Sequence, residues 1–338
     1  DIASPRAARQ VLELTGADFE CVYDGKGQPI TAFKATGGRD SLSRTQATIL
    51  IVFDLLNAIP SQRAYTSALI VRTLQPLEES DSIYLYLLTN QGGLYPVHPL
   101  PATRPTLLLH AREDDEHEQP RGTPWTRQIH PLMDRASEDV LRMRPKDYTD
   151  VGMEAGTTFQ ALAALAAQLT GMRGPKTIIW ITRGVPKRVI YPFGCQNVEF
   201  RGESGSYLAG QCNDSCANLR AGNKCVDYRP FLEHFSTELE RSDAIFSSIE
   251  EIGVSLSTDP PGSRSDTLRQ LANLTGGRKY SSGDIQKAMA QSLANSYGRY
   301  QLTYRTPQLD NKYHSIRVKC VRRGVRIQAP QSYYAYQP

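Results

Sequence analysis

The stretch TILIVFDLLN, residues 48–57, decides the fold class of this chain. Its first six residues form an apolar run of strand length, which is typical of a strand buried on both faces of a parallel sheet. A helix is predicted directly after it at 61–77, and a second strand at 83–88. The run KTIIWIT, residues 176–182, repeats the pattern farther along. This alternation predicts a doubly wound, mostly parallel α/β sheet with helices on both faces.

Apolar spacing predicts two long helices later in the chain. Leu162, Leu165 and Leu169 lie on one helical face, in a helix that Thr158 opens. Apolar residues stepping by three and four predict a single helix over residues 230–252.

The two ends of the chain have a different pattern, rich in strands and without helices. Residues 18–23 and 30–33 flank a DGKG turn and are typical of a hairpin. Residues 300–304 and 316–321 alternate with a period of two, as half-buried strands do.

These patterns predict two domains that are not contiguous in sequence. A β-sandwich-like domain combines residues 1–45 with residues 298–338, and a domain of the α/β type covers 46–297. Two segments interrupt the α/β pattern and are predicted as insertions: 98–150, and the Cys-rich 186–229. Loops of this length inside a compact domain are usually functional or disordered.

Six cysteines indicate the redox environment. Four crowd into the second insertion and two lie near the ends: Cys195, Cys212, Cys216, Cys225, Cys21 and Cys320. The even number in a Gly/Asn-rich loop favours disulfides in an oxidising compartment over a zinc site, whose close paired knuckles are missing. A Cys21–Cys320 bond would join the terminal strands, whereas the pairing of the other four stays open. The sequence begins at Asp1 rather than Met, so we expect a removed leader or missing upstream residues.

Composition and motifs exclude several classes of function. A net charge of only +4 without a long basic block argues against a nucleic-acid partner. The apolar runs are strand-length, so no transmembrane segment is predicted. No Gly-x-Ser-x-Gly elbow or phosphate-binding loop occurs, and we predict no catalytic residue. Four histidines share one irregular region with acidic neighbours, where a Zn²⁺ or Ca²⁺ site is the alternative to a solvated loop: His98, His110, His117 and His130.

Several segments together resemble the bacterial VWFA-related family, secreted proteins that combine a degenerate von Willebrand factor A domain with flanking β-strands. The matching segments, in order, are LTGADFE at 14–20 with DG at 24–25, VFDLLN at 52–57, KTIIW at 176–180, 268–277, 300–305, 310–318 and SYYA at 332–335. They span nearly the whole chain. The resemblance implies an A-domain fold and a secreted, periplasmic or cell-surface location.

The resemblance also points to an ion site at the carboxyl ends of the strands. A domains that bind ligands through a metal carry an Asp-x-Ser-x-Ser loop, a Thr on a second loop and an Asp on a third, all hard oxygen ligands. Asp54 matches the first Asp. Leu56 and Ala58 occupy the two Ser positions, with Asn57 between them. Two of the three ligands that the first loop would supply are therefore lost.

The remaining two loops make the site degenerate. Thr157 or Thr158 matches the Thr, and Arg183 stands where the third-loop Asp belongs. An arginine adds positive charge where a dication would sit, so we expect no cofactor; Mg²⁺ or Ca²⁺, if bound, would be held by Asp54 and Thr158. The Arg183 guanidinium either takes the place of the ion and pairs with Asp54, or points to solvent while Asp54 caps the following loop.

From these features we expect a secreted, non-enzymatic protein–protein interaction module, a subunit of an extracytoplasmic or cell-surface assembly. It would contact other proteins through its two insertions and the carboxyl end of the sheet. The alternatives are a divalent-metal-dependent adhesin that uses Asp54 and Thr158, and an accessory subunit of an enzyme or electron-transfer complex that docks through the Cys-rich loop. The fold alone does not decide among them.

Overall fold

A computed structural model describes residues 14–36, 47–78, 82–89, 94–98, 100, 125–129, 131, 148–191, 194–202, 205–213, 224–251, 263–281, 283–296, 299–305, 309–325 and 327–335. The strands in these ranges are β1 Phe19–Tyr23, β2 Lys26–Gln28, β3 Ile30–Thr36, β4 Thr48–Asp54, β5 Ile83–Leu88, β6 Leu94–His98, β7 Lys176–Thr182, β8 Arg188–Tyr191, β9 Val198–Gly202, β10 Gly205–Asn213, β11 Lys224–Asp227, β12 Ala244–Glu250, β13 Lys279–Ser281, β14 Arg299–Tyr304, β15 Tyr313–Cys320 and β16 Ser332–Tyr334. The α-helices are α1 Arg63–Leu74, α2 Tyr148–Thr170, α3 Arg229–Arg241, α4 Ser263–Thr275 and α5 Ile285–Ser296.

The central sheet has six strands in the order β13-β12-β7-β4-β5-β6. All neighbouring strands are parallel except β5 and β6, which are antiparallel. Every residue of β5 and β7 is buried, because helices cover the sheet on both sides. The predicted mostly parallel α/β sheet is confirmed.

Two separate hydrophobic layers hold the helices to this sheet. On one face, α1 and α5 pack against alternate residues of β4 such as Ile51 and Phe53. On the other face, α2, α3 and α4 pack around Trp180, which is fully buried in β7. Burying a side chain of this kind stabilises the fold by about 1.5–3 kcal/mol.

The prediction of one long helix over 230–252 is wrong. Helix α3 ends at Arg241, and Asp243 has a φ of 53°, a left-handed conformation that reverses the chain. Strand β12 follows at once and lies between β7 and β13. Phe246 and Ile249, which had seemed to continue a helical face, pack on opposite faces of the sheet.

The terminal strands pair with each other across the whole length of the chain. Strand β1 lies between β15 and β2 in a sheet of order β16-β15-β1-β2, and β3 pairs with β14 in a separate ribbon. The hairpin predicted from 18–23 and 30–33 is therefore wrong in its second strand, because β1 turns into β2 instead. The predicted domain boundaries at 45, 46, 297 and 298 stay a prediction.

The register of β1 and β15 keeps two cysteines apart. Cys320 lies opposite Phe19, whereas Cys21 lies opposite Val318. Both cysteines are free thiols, so the expected Cys21–Cys320 bond is not formed. Burial raises the pKa of the Cys21 thiol.

The Cys-rich insertion contains a sheet where the sequence had indicated only a loop. Its strands are antiparallel in the order β8-β11-β10-β9. A disulfide joins Cys195 to Cys212, with their Cα atoms 5.7 Å apart, and Cys225 is disulfide-bonded as well. Cys216 lies outside the described residues. The expectation of disulfides in this segment is confirmed for the Cys195–Cys212 pair.

Of the four histidines in the first insertion, only His98 lies within the described residues. His98 stacks on Trp125, with ring centroids 4.7 Å apart, and its Nδ1 lies 2.6 Å from the carbonyl oxygen of Ile83. Its ring is thus engaged in packing. His110, His117 and His130 lie outside the described ranges. Within those ranges no group of His, Cys, Asp and Glu is suited to a metal, and no helix has the length and apolarity to cross a membrane.

A histidine bridges the terminal strands to the loop that precedes β15. The two ring nitrogens of His314 lie 2.7 Å from Asp24 Oδ2 and 2.8 Å from Asp310 Oδ1, and the ring stacks on Tyr23 and Tyr333. Only the protonated imidazole donates from both nitrogens. The hydrogen bonds to Asp24 and Asp310 raise the pKa of His314, and its ring in turn lowers the pKa of both carboxylates.

We expect the stability difference between wild type and His314→Gln to be larger at about pH 5.5 than at about pH 8.5. The folded pKa of His314 lies above the usual 6.5, so its stabilisation is complete below pH 6.5 and is lost as the pH rises through the folded value. The lowered pKa values of Asp24 and Asp310 reduce the stability of the folded state only when the pH falls below their usual 3.8, outside this pH range. Urea denaturation at both pH values measures the difference.

His234→Gln is the matched control. Burial lowers the pKa of His234, so its stabilisation is lost as the pH falls, the opposite direction. An effect of His314→Gln that is the same at both pH values would contradict the charged bridge and leave only ring packing.

Candidate functional site

The carboxyl edge of the central sheet holds a buried polar network around Asp54. Asp54 is the last residue of β4 and is completely buried. Asn57 lies in the turn that follows, Thr158 comes from α2, and Thr182 is the last residue of β7. Because β4 and β7 are parallel neighbours, their carboxyl ends bring these side chains together.

The side-chain amide of Asn57 lies at the centre of this network. Its Nδ2 donates to Asp54 Oδ1 at 3.1 Å, to Asp54 Oδ2 at 3.0 Å and to Thr158 Oγ1 at 2.9 Å. Its backbone nitrogen also donates to Asp54 Oδ1, at 3.0 Å. The amide therefore fills the space between the carboxylate and the hydroxyl that the sequence offered as metal ligands.

Thr182 completes the hydrogen bonding of the carboxylate. Its Oγ1 donates to Asp54 Oδ2 at 2.6 Å and accepts from the backbone nitrogen of Gly184 at 2.9 Å. Each oxygen of Asp54 thus accepts two hydrogen bonds, which is the capacity of a carboxylate. Burial raises the pKa of Asp54, while the hydrogen bonds from Thr182 and Asn57 oppose that rise. The carboxylate is held by its neighbours at a cost in desolvation.

Arg264 of α4 is a cation next to this network. Arg264 lowers the pKa of Asp54 through its charge, and its Nη1 donates to Gly184 O at 3.1 Å and, at 3.4 Å, to Asn57 Oδ1. Among the described contacts of Asp54, none is to the half-buried Arg183. The pairing of Arg183 with Asp54 stays a prediction. The hydrogen bond from the Asn57 backbone agrees with the alternative, in which Asp54 caps the following loop.

Gly184 lets α4 approach the network closely. Its φ is +91°, and a Cβ at this position would lie 2.8 Å from the backbone oxygen of Arg264. Only glycine combines this conformation with such a close approach. The close contact explains how an arginine distant in sequence reaches Asn57.

The sequence identified part of this site and missed the rest. The structure brings Asp54, Asn57 and Thr158 together, whereas Thr157 is half-buried and takes no part in the described hydrogen bonds of the network. Thr182 had a recognisable signal, because it ends a buried strand beside the expected third-loop ligand. Arg264 had none, since only the folded chain carries it to Asn57.

The arrangement does not fit a divalent cation. Mg²⁺ requires about six oxygen ligands at about 2.0–2.1 Å, and here every acceptor position of Asp54 faces an N–H or O–H hydrogen. Turning the Asn57 amide by 180° would place Oδ1 against two carboxylate oxygens, an arrangement that needs a cation or a proton between them.

A second pair of buried charges lies at the same edge of the sheet. Arg63, the first residue of α1, is 6% exposed, and Glu251, directly after β12, is 3% exposed. Glu251 Oε1 accepts from Thr66 Oγ1 at 2.8 Å, and burial raises the pKa of Glu251 to about 7. Arg63 and Glu251 act on each other and on Asp54 through their charges. The edge is therefore a filled, charged interior, and both residues escaped the sequence analysis.

Three orphaned atoms belong to this pair. Arg63 Nε, Arg63 Nη1 and Glu251 Oε2 are buried without a hydrogen bond to protein atoms. Ordered water usually satisfies buried polar atoms of this kind, typically through about three hydrogen bonds.

Comparison with known proteins gives only distant structural similarities. No protein-family model matches the chain, and no curated protein matches it in sequence. Similar solved structures include an aerotolerance-related membrane protein from Bacteroides fragilis with multiple mutations to serines, at a TM-score of 0.35 and 11% identity over 74% of this chain and 100% of that one. The PilB minor pilin from Streptococcus sanguinis has a TM-score of 0.37 and 12% identity, over 76% of this chain and 62% of the pilin chain. Proximal thread matrix protein 1 from the mussel byssus has a TM-score of 0.31 and 11% identity, over 78% of this chain and 47% of the matrix protein.

Proposed function

We propose that this protein is a secreted, non-enzymatic protein-interaction module with a von Willebrand factor A-type α/β body, acting in an extracytoplasmic or cell-surface assembly without a metal ion. The observation that carries the metal-free part is the position of the Asn57 amide, which donates to Asp54 and Thr158 together. A partner would be held by protein contacts instead of through an ion.

The burial and hydrogen bonding of Asp54 support a non-enzymatic role. A general base needs a free lone pair within reach of its substrate. Both oxygens of Asp54 are committed to hydrogen bonds with Asn57 and Thr182, and the residue is completely buried. The network is built to hold loops in place at the edge of the sheet.

The Cys-rich insertion supports the proposed location and contact surface. Its Cys195–Cys212 disulfide is typical of an oxidising compartment. Two large apolar side chains of its sheet, Ile190 and Leu208, are 43% and 37% exposed. We propose this insertion and the carboxyl edge of the sheet as surfaces that contact a partner protein, because loops on a rigid scaffold carry recognition.

The test is capture of the natural partner from source cells by the purified protein, in EDTA and in excess Mg²⁺. We expect the same partner to be retained in both. A partner that leaves in EDTA and returns with Mg²⁺ would establish the metal-dependent adhesin instead. A catalytic or electron-transfer partner that is retained would indicate the accessory-subunit alternative.

Thermal unfolding tests the absence of a metal site independently of any partner. Saturation at about one hundred times a dissociation constant would add about 2.7 kcal/mol to the folded state, a rise of several degrees in melting temperature. We expect Mg²⁺ and Ca²⁺ to give no such rise for the wild type. Asn57→Asp is the comparison variant, because it replaces the donor amide by a second carboxyl group that either a cation or a proton must hold beside Asp54.

A further inference from the structure

A cavity of about 260 Å³ lies at the opposite, amino end of the central sheet, beside the β3–β14 ribbon. Its walls come from the ends of α2 and α3, the first residue of β7 and one side chain of β3. They are Lys34, Thr170, Met172, Gly174, Pro175, Lys176, Arg241, Ser242 and Asp243. The volume falls below the roughly 300–1,000 Å³ of sites for drug-sized organic ligands. The cavity suits a small polar group.

Positive charge dominates the ionisable side chains of this cavity. Lys34, Lys176 and Arg241 line it from three different elements, against a single acid, Asp243. Lys176 is only 2% exposed. Arg241 also pairs with Glu238 at 2.8 Å, but that pair is more than half exposed on the arginine side and is screened by solvent.

Helix ends explain Lys176 and Arg241, the last residue of α3, but not Lys34. The Lys176 ammonium donates to the carbonyl oxygens of Gly174 and Ser242, which lie just beyond α2 and α3, at 2.8 and 2.6 Å. Cations are favourable at such helix C-termini. Lys34 belongs to a strand and comes from the other side of the cavity.

A half-buried cation contacts a wall residue of the cavity. Arg299 of β14 donates to the carbonyl oxygen of Lys176 and to Thr177 Oγ1. Burial lowers the pKa of Arg299 to about 10 and also lowers the pKa of Lys176, which the charge of Arg299 lowers further. An anion in the cavity would favour the charged forms of both side chains.

We propose that this cavity binds a small multivalent oxyanion of the phosphate or sulfate type, held by Lys34 on one side and by Lys176 and Arg241 on the other. Such an ion would join the β3–β14 ribbon to the α/β body, since its ligands come from both. The site is distinct from the carboxyl edge discussed above and does not depend on the proposed function.

The test uses the full chain with inorganic phosphate as the probe and chloride at equal ionic strength as the reference. Calorimetry should show saturable binding, and phosphate should raise the melting temperature. The double variant Lys34→Gln/Arg241→Gln should weaken phosphate binding about a hundredfold or more, since it removes two charged hydrogen-bond donors. Both residues lie at the exposed rim, so the variant should fold.

The control variant Arg269→Gln/Lys319→Gln removes the same charge from exposed positions elsewhere. We expect its phosphate affinity to equal that of the wild type. Equal weakening in both variants, or no saturable binding by the wild type, would overturn the proposal. A phosphate monoester, O-phosphoserine, distinguishes the source: binding as tight as that of phosphate indicates a phosphate group carried by a larger molecule, and selective binding of inorganic phosphate indicates the free ion.

Discussion

Replacing Asp54 by alanine is expected to lower the free energy of unfolding by about 3–5 kcal/mol. The substitution removes the common acceptor of two donors on Asn57 and of the Thr182 hydroxyl, all at the buried edge of the sheet. Each buried donor left without an acceptor costs about 1–3 kcal/mol. Burial raises the pKa of Asp54, which shows that the buried carboxylate has a desolvation cost; removing the carboxylate removes that cost and offsets part of the loss.

Urea denaturation of Asp54→Ala, Asp54→Asn and wild type measures the effect. Asp54→Asn should lose less, because the amide keeps one acceptor oxygen of the right shape. Asp266→Ala is the control: this acid is exposed and, in the described part of the chain, pairs with Arg269 on the helix surface, so a change within about 0.5 kcal/mol is expected. An Asp54→Ala protein more stable than wild type would show that the carboxylate is kept for a ligand at the expense of stability.

Gly277→Ala should prevent the chain from reaching a stable fold. A Cβ at Gly277 would lie 1.9 Å from the carbonyl oxygen of Phe246 and 2.5 Å from its carbonyl carbon. Non-bonded carbon atoms pack at about 3.5–4.0 Å. Phe246 cannot move away, because β12 is hydrogen-bonded to β7 on one side and to β13 on the other.

The soluble yield and the circular dichroism spectrum of Gly277→Ala test this prediction. A typical domain has only about 5–15 kcal/mol of stability to lose, so we expect an unfolded or aggregated protein. Gly283→Ala is the matched control, since a Cβ there meets no atom within 4 Å. Wild-type stability of Gly277→Ala would mean that α4 and β12 approach each other differently.

The parts of the fold that the sequence predicted depend on local patterns. The apolar runs that form β4 and β7 cannot be exposed, and their length excludes helices, so a buried parallel sheet followed directly. The spacing around Leu165 likewise predicted α2, although the helix begins at Tyr148, before the predicted start at Thr158. Local patterns failed after Arg241, because neither a glycine nor a proline marks the break before β12.

The parts that could not be predicted depend on contacts between distant segments. Asn57 and Arg264 lie far apart in sequence, and no pattern at either residue indicates the other. The separation of Cys21 from Cys320 follows from a register of two residues that strand periodicity alone does not fix. The orientation of the Asn57 amide is set only by the donors and acceptors around it.

Pairing between β1 and β15 has a consequence for the synthesis of the protein. At about 5–20 residues per second, roughly 15–60 s pass between the emergence of β1 and that of its partner strand. During this time Phe19 and Tyr23, both buried in the final structure, have no strand of the C-terminal region to pack against. A chain of this topology cannot finish its terminal sheet until its last strands have left the ribosome, so it stays incompletely folded for as long as it is being made.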